Sequence, residues 1–543
     1  MSSSTPVAMD AVLAGRNTGY FANRGIITLN LILIIPLLSS YATGYDGSMM
    51  NGLQSLDTWK AFFNHPDANA LALLNAIQNV GQLVALPFCA IARDNFGRRA
   101  TLVFGAAIML LGGLLQGFAQ NTGMFTAARG ILGLGLAFNI TAAPLLLLEL
   151  AFPTQAAPLV SIYNALWSLG AIAAAWITYG TFRLTNDWGW RIPSLLQALS
   201  SVVQLASCYF IEESPRWLVS KGHEEKARNM ITKYHANGDN EDYLALIEME
   251  EIKETLRLEK EALATTSYLS FLKTKGNRLR FFIILAVGFF SQWSGNGLIS
   301  YYLTLILNSI GYTSQSTQTL INGILTIWNL VTTLFFALLV NKFCRRIMFL
   351  VSTIGMLLTF IVWTALEATY EKATDLTGEG SPGVARDVLA IIFIYNLFFN
   401  IGWGPLQVTY VVEILPYQLR ARGLVLYNFF VACALIFNQY ANPIGVTNIK
   451  WKCKLPGHLG PRNKLTSSDY IVYDVWLFVE VLVVYFLFVE TRGASVEETA
   501  AILDGTEIQL ALVEGVARAT EHEGKVITNE KSEGGMVAKV RQS

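Results

Sequence analysis

The chain has 543 residues, of which 53% are hydrophobic and only 14% charged, and its net charge is zero. A soluble domain carries about a quarter charged residues, so this is no ordinary soluble enzyme, and zero net charge implies no general attraction to nucleic acid or acidic surfaces. The five cysteines, Cys89, Cys208, Cys344, Cys433 and Cys453, are odd in number and mostly sit in or beside apolar runs. That pattern is no disulfide framework.

Residues 1–25 are polar, lack the apolar core of a cleavable signal peptide, and read as an N-terminal tail. Twelve apolar runs follow, at 26–50, 71–92, 100–120, 124–148, 158–180, 192–211, 280–307, 317–340, 347–368, 387–412, 421–443 and 471–489. Each is near the ~20 residues that cross a bilayer as a helix. Lipid offers no partners to backbone polar groups, so all are expected as helices. A charged stretch, 212–279, separates the sixth run from the seventh. Its segments EEKARNMITKYH and DYLALIEMEEIKETLRLEKEALA read as amphipathic helices, with Glu224 and Arg228 spaced for a solvated face. The expected fold class is an all-α membrane protein: twelve transmembrane helices in two halves, 26–211 and 280–490, joined by a helical linker. The charged tail 491–543 is expected to be disordered. Arg93, Arg98 and Arg99, then Lys342, Arg345 and Arg346, then Arg420 and Arg422 follow even-numbered runs. All fall on one side if both termini and the linker are cytoplasmic, the side that positive charge marks.

The halves echo each other. RDNFGRR (93–99), Glu149 and EESPRWL (212–218) close runs two, four and six; NKFCRR (341–346), Glu413 and ETRG (490–493) close runs eight, ten and twelve. Paired six-helix halves place a substrate site near the midplane between them. Inside the first run stands Asp46, a residue that costs roughly 2.5–3.5 kcal/mol on insertion scales and should face a cavity, a partner or a proton. The competing reading is a carboxylate at the water interface, since Asp46 lies late in its run. No G-x-S-x-G, H-E-x-x-H or Walker A motif is present, and five scattered histidines make no buried metal site. No enzymatic activity, cofactor or metal is expected.

GYDGSMMNG (44–52), DNFGRR (94–99), RGILGLG (129–135), WRIP (190–193), ESPRWL (213–218), QWSGNGLISYY (292–302), GWGP (402–405), the stretch from Glu413 to Gly423, and ETRG follow one another at the ends of the runs. In this order they resemble the fungal sugar porters of the major facilitator superfamily, from about Gly25 to Glu498. GYDGSMMNGLQ and SQWSGNGLISYY are most similar to the lactose and cellodextrin permease group. The sequence departs from the broader family at Asn341 and Cys344, Ala156 and Ala157, Glu212 and Val489, and around the pocket at Gly297, Asn164 and Val408.

The resemblance implies that Asp46 pairs with Arg129 and couples a proton to sugar movement. Arg129 cannot shed its charge, while a nearby cation favours the ionised acid and burial the neutral one. Amides both donate and accept hydrogen bonds as sugar hydroxyls do, which makes Gln292, Asn296, Asn400 and Asn164 candidate ligands; helix–helix hydrogen bonds are the alternative. Trp403, Tyr301, Tyr302 and Phe399 offer faces for a sugar, though Trp and Tyr are also common at membrane interfaces. Gly295, Gly297, Gly402, Gly404 and Pro405 weaken runs seven and ten, and broken helices occur where they line a cavity. Asp94, Arg98, Arg99, Glu149, Arg191, Glu213, Arg345, Arg346, Glu413, Arg420, Arg422 and Glu490 are implied as a cytoplasmic charge network that latches the halves. The expected function is proton-coupled import of a disaccharide by a monomeric plasma-membrane protein, with sugar, proton and lipid as its partners. A monosaccharide porter or facilitator is the alternative, and a sugar sensor a rival of another class. Residues 453–469, CKLPGHLGPRNKLTSSD, interrupt the family-like passage and are expected as a loop outside the pocket or as an unspliced intron.

Overall fold

The computed structural model describes residues 19–239, 242–265, 267–377, 381–448, 467–492 and 503. The segment 453–466, most of the C-terminal tail and residues 1–18 lie outside them. Everything described is helix or short connection. Spans one to five are Arg24–Leu53, Ala68–Phe96, Arg98–Gly117, Thr122–Leu150 and Ala156–Thr181. Polar caps set several starts: the side chains of Asn23, Asp67, Asn121 and Thr274 each accept a backbone N–H at the head of spans one, two, four and seven, satisfying donors that the first turn leaves orphaned.

Three spans are divided. Span six is Trp188–Leu196 and Leu199–Ala206, span seven Lys275–Trp293 and Asn296–Ser309, and span ten Pro382–Gly402 and Gln407–Ile414. The break in span seven turns on Gly295, whose φ of +98° suits glycine. A Cβ there would also lie 2.4 Å from the Phe360 ring. Spans eight, nine, eleven and twelve are Gln315–Leu339, Arg345–Thr377, Tyr417–Asn448 and Ser467–Leu487. Among the described residues, ten helices are long and apolar enough to cross a membrane; divided span six and span twelve complete the set of runs read in the sequence.

Buried apolar clusters keep to one side of the linker or the other. One draws only on residues from Phe271 onward, the rest only on residues up to Ile252. Close helix approach in the first half depends on missing side chains: a Cβ on Gly44 would meet the Trp167 carbonyl at 1.8 Å, and one on Gly133 the Gln78 carbonyl at 1.9 Å. The halves pack through spans two and eleven, five and eight, and one and seven. The linker forms helices Pro215–Ser220, Glu224–Tyr234 and Tyr243–Thr265; Glu224 pairs with Lys253 of the next helix at 2.6 Å. We call the end of the bundle that carries this linker the linker end, and the other the far end.

Candidate functional site

Asp46 is fully buried in span one, not at a water interface. The Arg129 guanidinium of span four lies 3.7 Å from its Oδ1, the Gln197 amide at the break of span six donates to Oδ1 at 2.5 Å, and the Gln78 amide of span two donates to Oδ2. Gln78 also accepts from Arg129, whose Nε donates to the Leu74 carbonyl at 2.7 Å. One carboxylate thus ties together spans one, two, four and six.

Close to this site, hydrogen bonds join the halves and brace the second piece of span seven. Asn51 donates to Asn322 Oδ1 at 3.2 Å and Gln54 to the Tyr301 carbonyl at 3.3 Å. Tyr302 accepts from Asn75 at 3.4 Å and donates to the Gln439 carbonyl at 2.6 Å; Asn79 donates to Gln439 Oε1 at 2.6 Å. The second piece of span seven therefore seals the far end against spans one and two.

The sugar-ligand candidates separate into three groups. Gln292 and Asn296 flank the span-seven break, half-buried, with only local side-chain bonds to Ser291 and Ser300; Asn164 is exposed on span five. Tyr301 is half-buried and Tyr302 buried, both at the far-end seal. Asn400 bonds Thr332 at 2.8 Å and Asn329 at 3.4 Å between spans ten and eight, the helix–helix role that was the alternative. Trp403 corrects an expectation. It is fully buried, donates to Thr353 at 3.2 Å, and packs against Phe349 and Phe290, so its faces are covered by protein.

At the linker end the repeat becomes geometry. Glu213 accepts from the backbone N–H groups of Arg98 at 2.9 Å and Arg99 at 3.2 Å, where span three begins. Arg98 pairs with Glu149 at 3.0 Å, and Ser214 donates to Glu149. In the second half, Glu490 accepts from the backbone of Arg345 at 2.9 Å and Arg346 at 3.1 Å, where span nine begins. Arg345 pairs with Glu413 at 3.3 Å, and Thr491 donates to Glu413. Each carboxylate caps a positive helix terminus, and in this far-end-closed state each of these clusters closes within its own half. Burial pushes the Glu213 carboxyl up, and the N–H donors and Arg98 only partly oppose it. Asp94 pairs with adjacent Arg93 at 3.4 Å, and Arg420 and Arg422 stand in the opening turns of span eleven, Arg422 over the Tyr268 ring. Arg191 does not belong here. It opens span six at the far end, donating to the carbonyls of Gly117 at 2.9 Å and Ala119 at 3.2 Å and lying over Trp190.

Residues 32–503 match the model of the family described as "Sugar (and other) transporter". The chain belongs to this family. The transporter is 26% identical to "MFS-type transporter criB" of Aspergillus cristatus over 88% of this chain and 94% of that one. It is 25% identical to the "High-affinity glucose transporter" of Kluyveromyces lactis, with 87% and 84% covered. "H(+)/hexose cotransporter 1" of Parachlorella kessleri is also 25% identical, with 90% and 91% covered. Its fold is that of the major facilitator proton:xylose symporter XylE, solved with 6-bromo-6-deoxy-D-glucose: the TM-score is 0.67 at 21% identity, covering 88% of this chain and 99% of that one. The chain is thus a transporter of this family rather than an enzyme.

Gln78 and Gln197, which hold Asp46, were not singled out in the sequence. Their signal there was an amide inside an apolar run, in NAIQNVG and LLQALS, one shared with many amides that only join helices.

Proposed function

We propose that the transporter is a proton-coupled monosaccharide symporter of the plasma membrane, working as a monomer with both termini and the linker in the cytoplasm. The observation that carries this is Asp46. It is a fully buried carboxylate whose one cationic neighbour is a guanidinium 3.7 Å away, the arrangement in which gain and loss of one proton changes the cohesion of four spans. The positive residues at the linker end favour a cytoplasmic placement of that end, so the far-end seal makes this an inward-facing state. Of the candidates named in the sequence, Gln292, Asn296 and Asn164 keep polar groups for a sugar, while the Tyr301 hydroxyl is shared with Gln439; the clusters around Glu149 and Glu413 re-pair between the halves when the linker end closes.

The relatives' names, glucose and hexose, favour a monosaccharide over the disaccharide read from the sequence. The lactose- and cellodextrin-like motifs at 44–54 and 291–302 keep the disaccharide as the second reading. Uptake of labelled D-glucose, D-xylose, lactose and cellobiose into transporter-null yeast, recorded with external pH, tests both parts. Monosaccharide uptake with alkalinisation is expected. Uptake without proton movement would make the protein a facilitator and Asp46 a structural residue.

A further inference from the structure

The second half contains a buried acid of its own. Glu480, midway along span twelve, is 0% exposed, and neither carboxyl oxygen has a hydrogen-bond partner among the described residues. It shares its helix face with Leu477 and Val484, which are also fully buried. Span twelve packs on spans nine and seven. No Lys, Arg or His occurs between Arg280 and Ser309 on span seven, between Arg346 and Glu371 on span nine, or between Asp387 and Gly402 on span ten. Charges stand only toward the two ends: Lys275, Arg278, Arg280, Arg345 and Arg346 at the linker end, and Glu367, Glu371, Lys372, Arg386, Asp387 and Asp474 toward the far end, the last bonded to Thr364 at 2.9 Å. The titratable side chains of the core on this side are Tyr395 of span ten, on which Glu480 acts electrostatically, and Tyr473 on its own helix. An ionised carboxylate here would meet neither cation nor donor, which is costly in a bilayer interior.

The neighbourhood of Glu480 is the hinge of the far-end seal. Tyr395 is fully buried and donates to the Ser294 carbonyl at 2.8 Å, at the break of span seven. Ser294 is itself fully buried, and its hydroxyl has no partner among the described residues. One turn before Glu480, Trp476 packs against Phe290 and Trp293, the last residues before that break, and its indole N–H is also unpartnered. Beyond the break, Tyr301 and Tyr302 accept the bonds from Gln54 and Asn75 that shut the far end.

We propose that Glu480 is a second proton-binding site of the transport cycle, neutral while the far-end seal is shut and able to ionise when the hinge beside Tyr395 moves. This rests on the proton-coupled reading above. The step is one O–H bond: the acid releases its proton to water admitted by hinge movement, and the carboxylate left behind takes hydroxyl or indole donors freed at the hinge. The shut state requires the neutral acid, so the seal weakens as pH rises, and sugar exchange slows with it.

The test uses the full chain purified into liposomes. Infrared spectra at neutral pH should show a neutral carboxyl C=O band that Glu480→Gln removes and Asp46→Asn leaves in place. Uptake of labelled D-glucose or D-xylose should decline with rising pH in the wild type, and Glu480→Gln, shaped like the neutral acid, should lose a distinct part of that decline. A band unaffected by Glu480→Gln, or an unchanged pH profile, overturns the proposal. If Glu480→Gln does not fold, the wild-type spectrum decides: with no neutral carboxyl band left unassigned by Asp46→Asn, Glu480 is ionised and the proposal fails. A wild type that moves sugar without protons sinks the coupled reading instead, a separate outcome.

Discussion

The two halves repeat the same charge cluster at the linker end but hold opposite kinds of carboxylate in their cores. In the first half Asp46 is held by Arg129, Gln78 and Gln197 from three other spans. In the second, Glu480 has neither a hydrogen bond nor a cation within its stretch of the bundle. The linker-end clusters agree residue for residue because each performs a terminus-capping task that any six-helix half of this kind meets. The cores differ because Asp46, beside a fixed cation and two amide donors, can ionise where it stands, whereas the solitary acid must move to ionise. A buried charge without a partner is expensive; under the proposed function that difference assigns coupling to Asp46 and a proton-binding step at the hinge to Glu480.

The largest effect that sharpens this contrast is expected from Arg129→Ala. Removing one partner of a buried pair costs about 3–5 kcal/mol, so the variant should melt well below wild type in detergent and lose both accumulation and exchange. Asp46→Asn, which resembles the protonated acid, should cost less stability, because Arg129 keeps its bonds to the Leu74 carbonyl and Gln78. It should abolish accumulation against a gradient and the accompanying alkalinisation while keeping downhill exchange. If this variant still moves protons with sugar at the wild-type ratio, the coupling acid lies elsewhere, and the asymmetry between the halves has been read the wrong way round.

A moderate effect should show how alike the linker-end clusters are. Glu213→Gln and Glu490→Gln each replace charge-assisted bonds to two backbone N–H groups at the head of a span. Each should lower stability by about 1 kcal/mol, the scale of a single hydrogen bond. Equal losses on thermal melting are expected. A loss confined to one variant would mean that the repeat is one of form alone.

The sequence carried the fold because its signals are large. Apolar runs of bilayer length leave helices as the only solution, and Gly295 and the Gly402–Pro405 stretch mark the breaks in spans seven and ten. Asp46 stands as a charge in an apolar run with a family motif around it; Glu480 is the same kind of signal without a motif. Which side of a helix a residue faces was less legible. Trp403 was read as a pocket wall, yet it lies on the face of span ten that meets Phe349 and Phe290. The resemblance implies Arg191 among the linker-end charges, although an even-numbered span starts at the far end when the first starts at the linker end. Gln78 and Gln197 gained meaning only when folding brought them to one carboxylate.

The smallest expected effect tests a finer asymmetry. The carbonyl that follows each cluster glutamate is capped in both halves, but by different chemistry: Leu150 accepts from His235 of the linker at 3.2 Å, and Ile414 from Arg280 at 3.1 Å. The other ring nitrogen of His235 meets Glu248 at 2.7 Å, and Phe152 packs on the ring. With an acceptor on each nitrogen the ring is suited to be the cation, which donates from both. Burial pushes the imidazole down, but Glu248 and the Leu150 carbonyl more than offset it, so its pKa lies above the ordinary 6.5. A raised pKa contributes stability that is complete below 6.5 and is lost as pH rises through the raised value. The linker should therefore loosen from span four on alkalinisation, while the Arg280 guanidinium of span seven, which caps span ten, keeps its charge. Trypsin cleavage within Glu224–Thr265, measured at pH steps upward from about 6.5, the ordinary histidine value, should accelerate with pH in the wild type. In His235→Gln it should already be fast at the lowest pH and nearly flat, because an amide meets one acceptor well and the other poorly. Wild-type cleavage that does not change with pH would show that His235 is neutral in the fold, and that the two carbonyl caps differ in residue type without differing in behaviour.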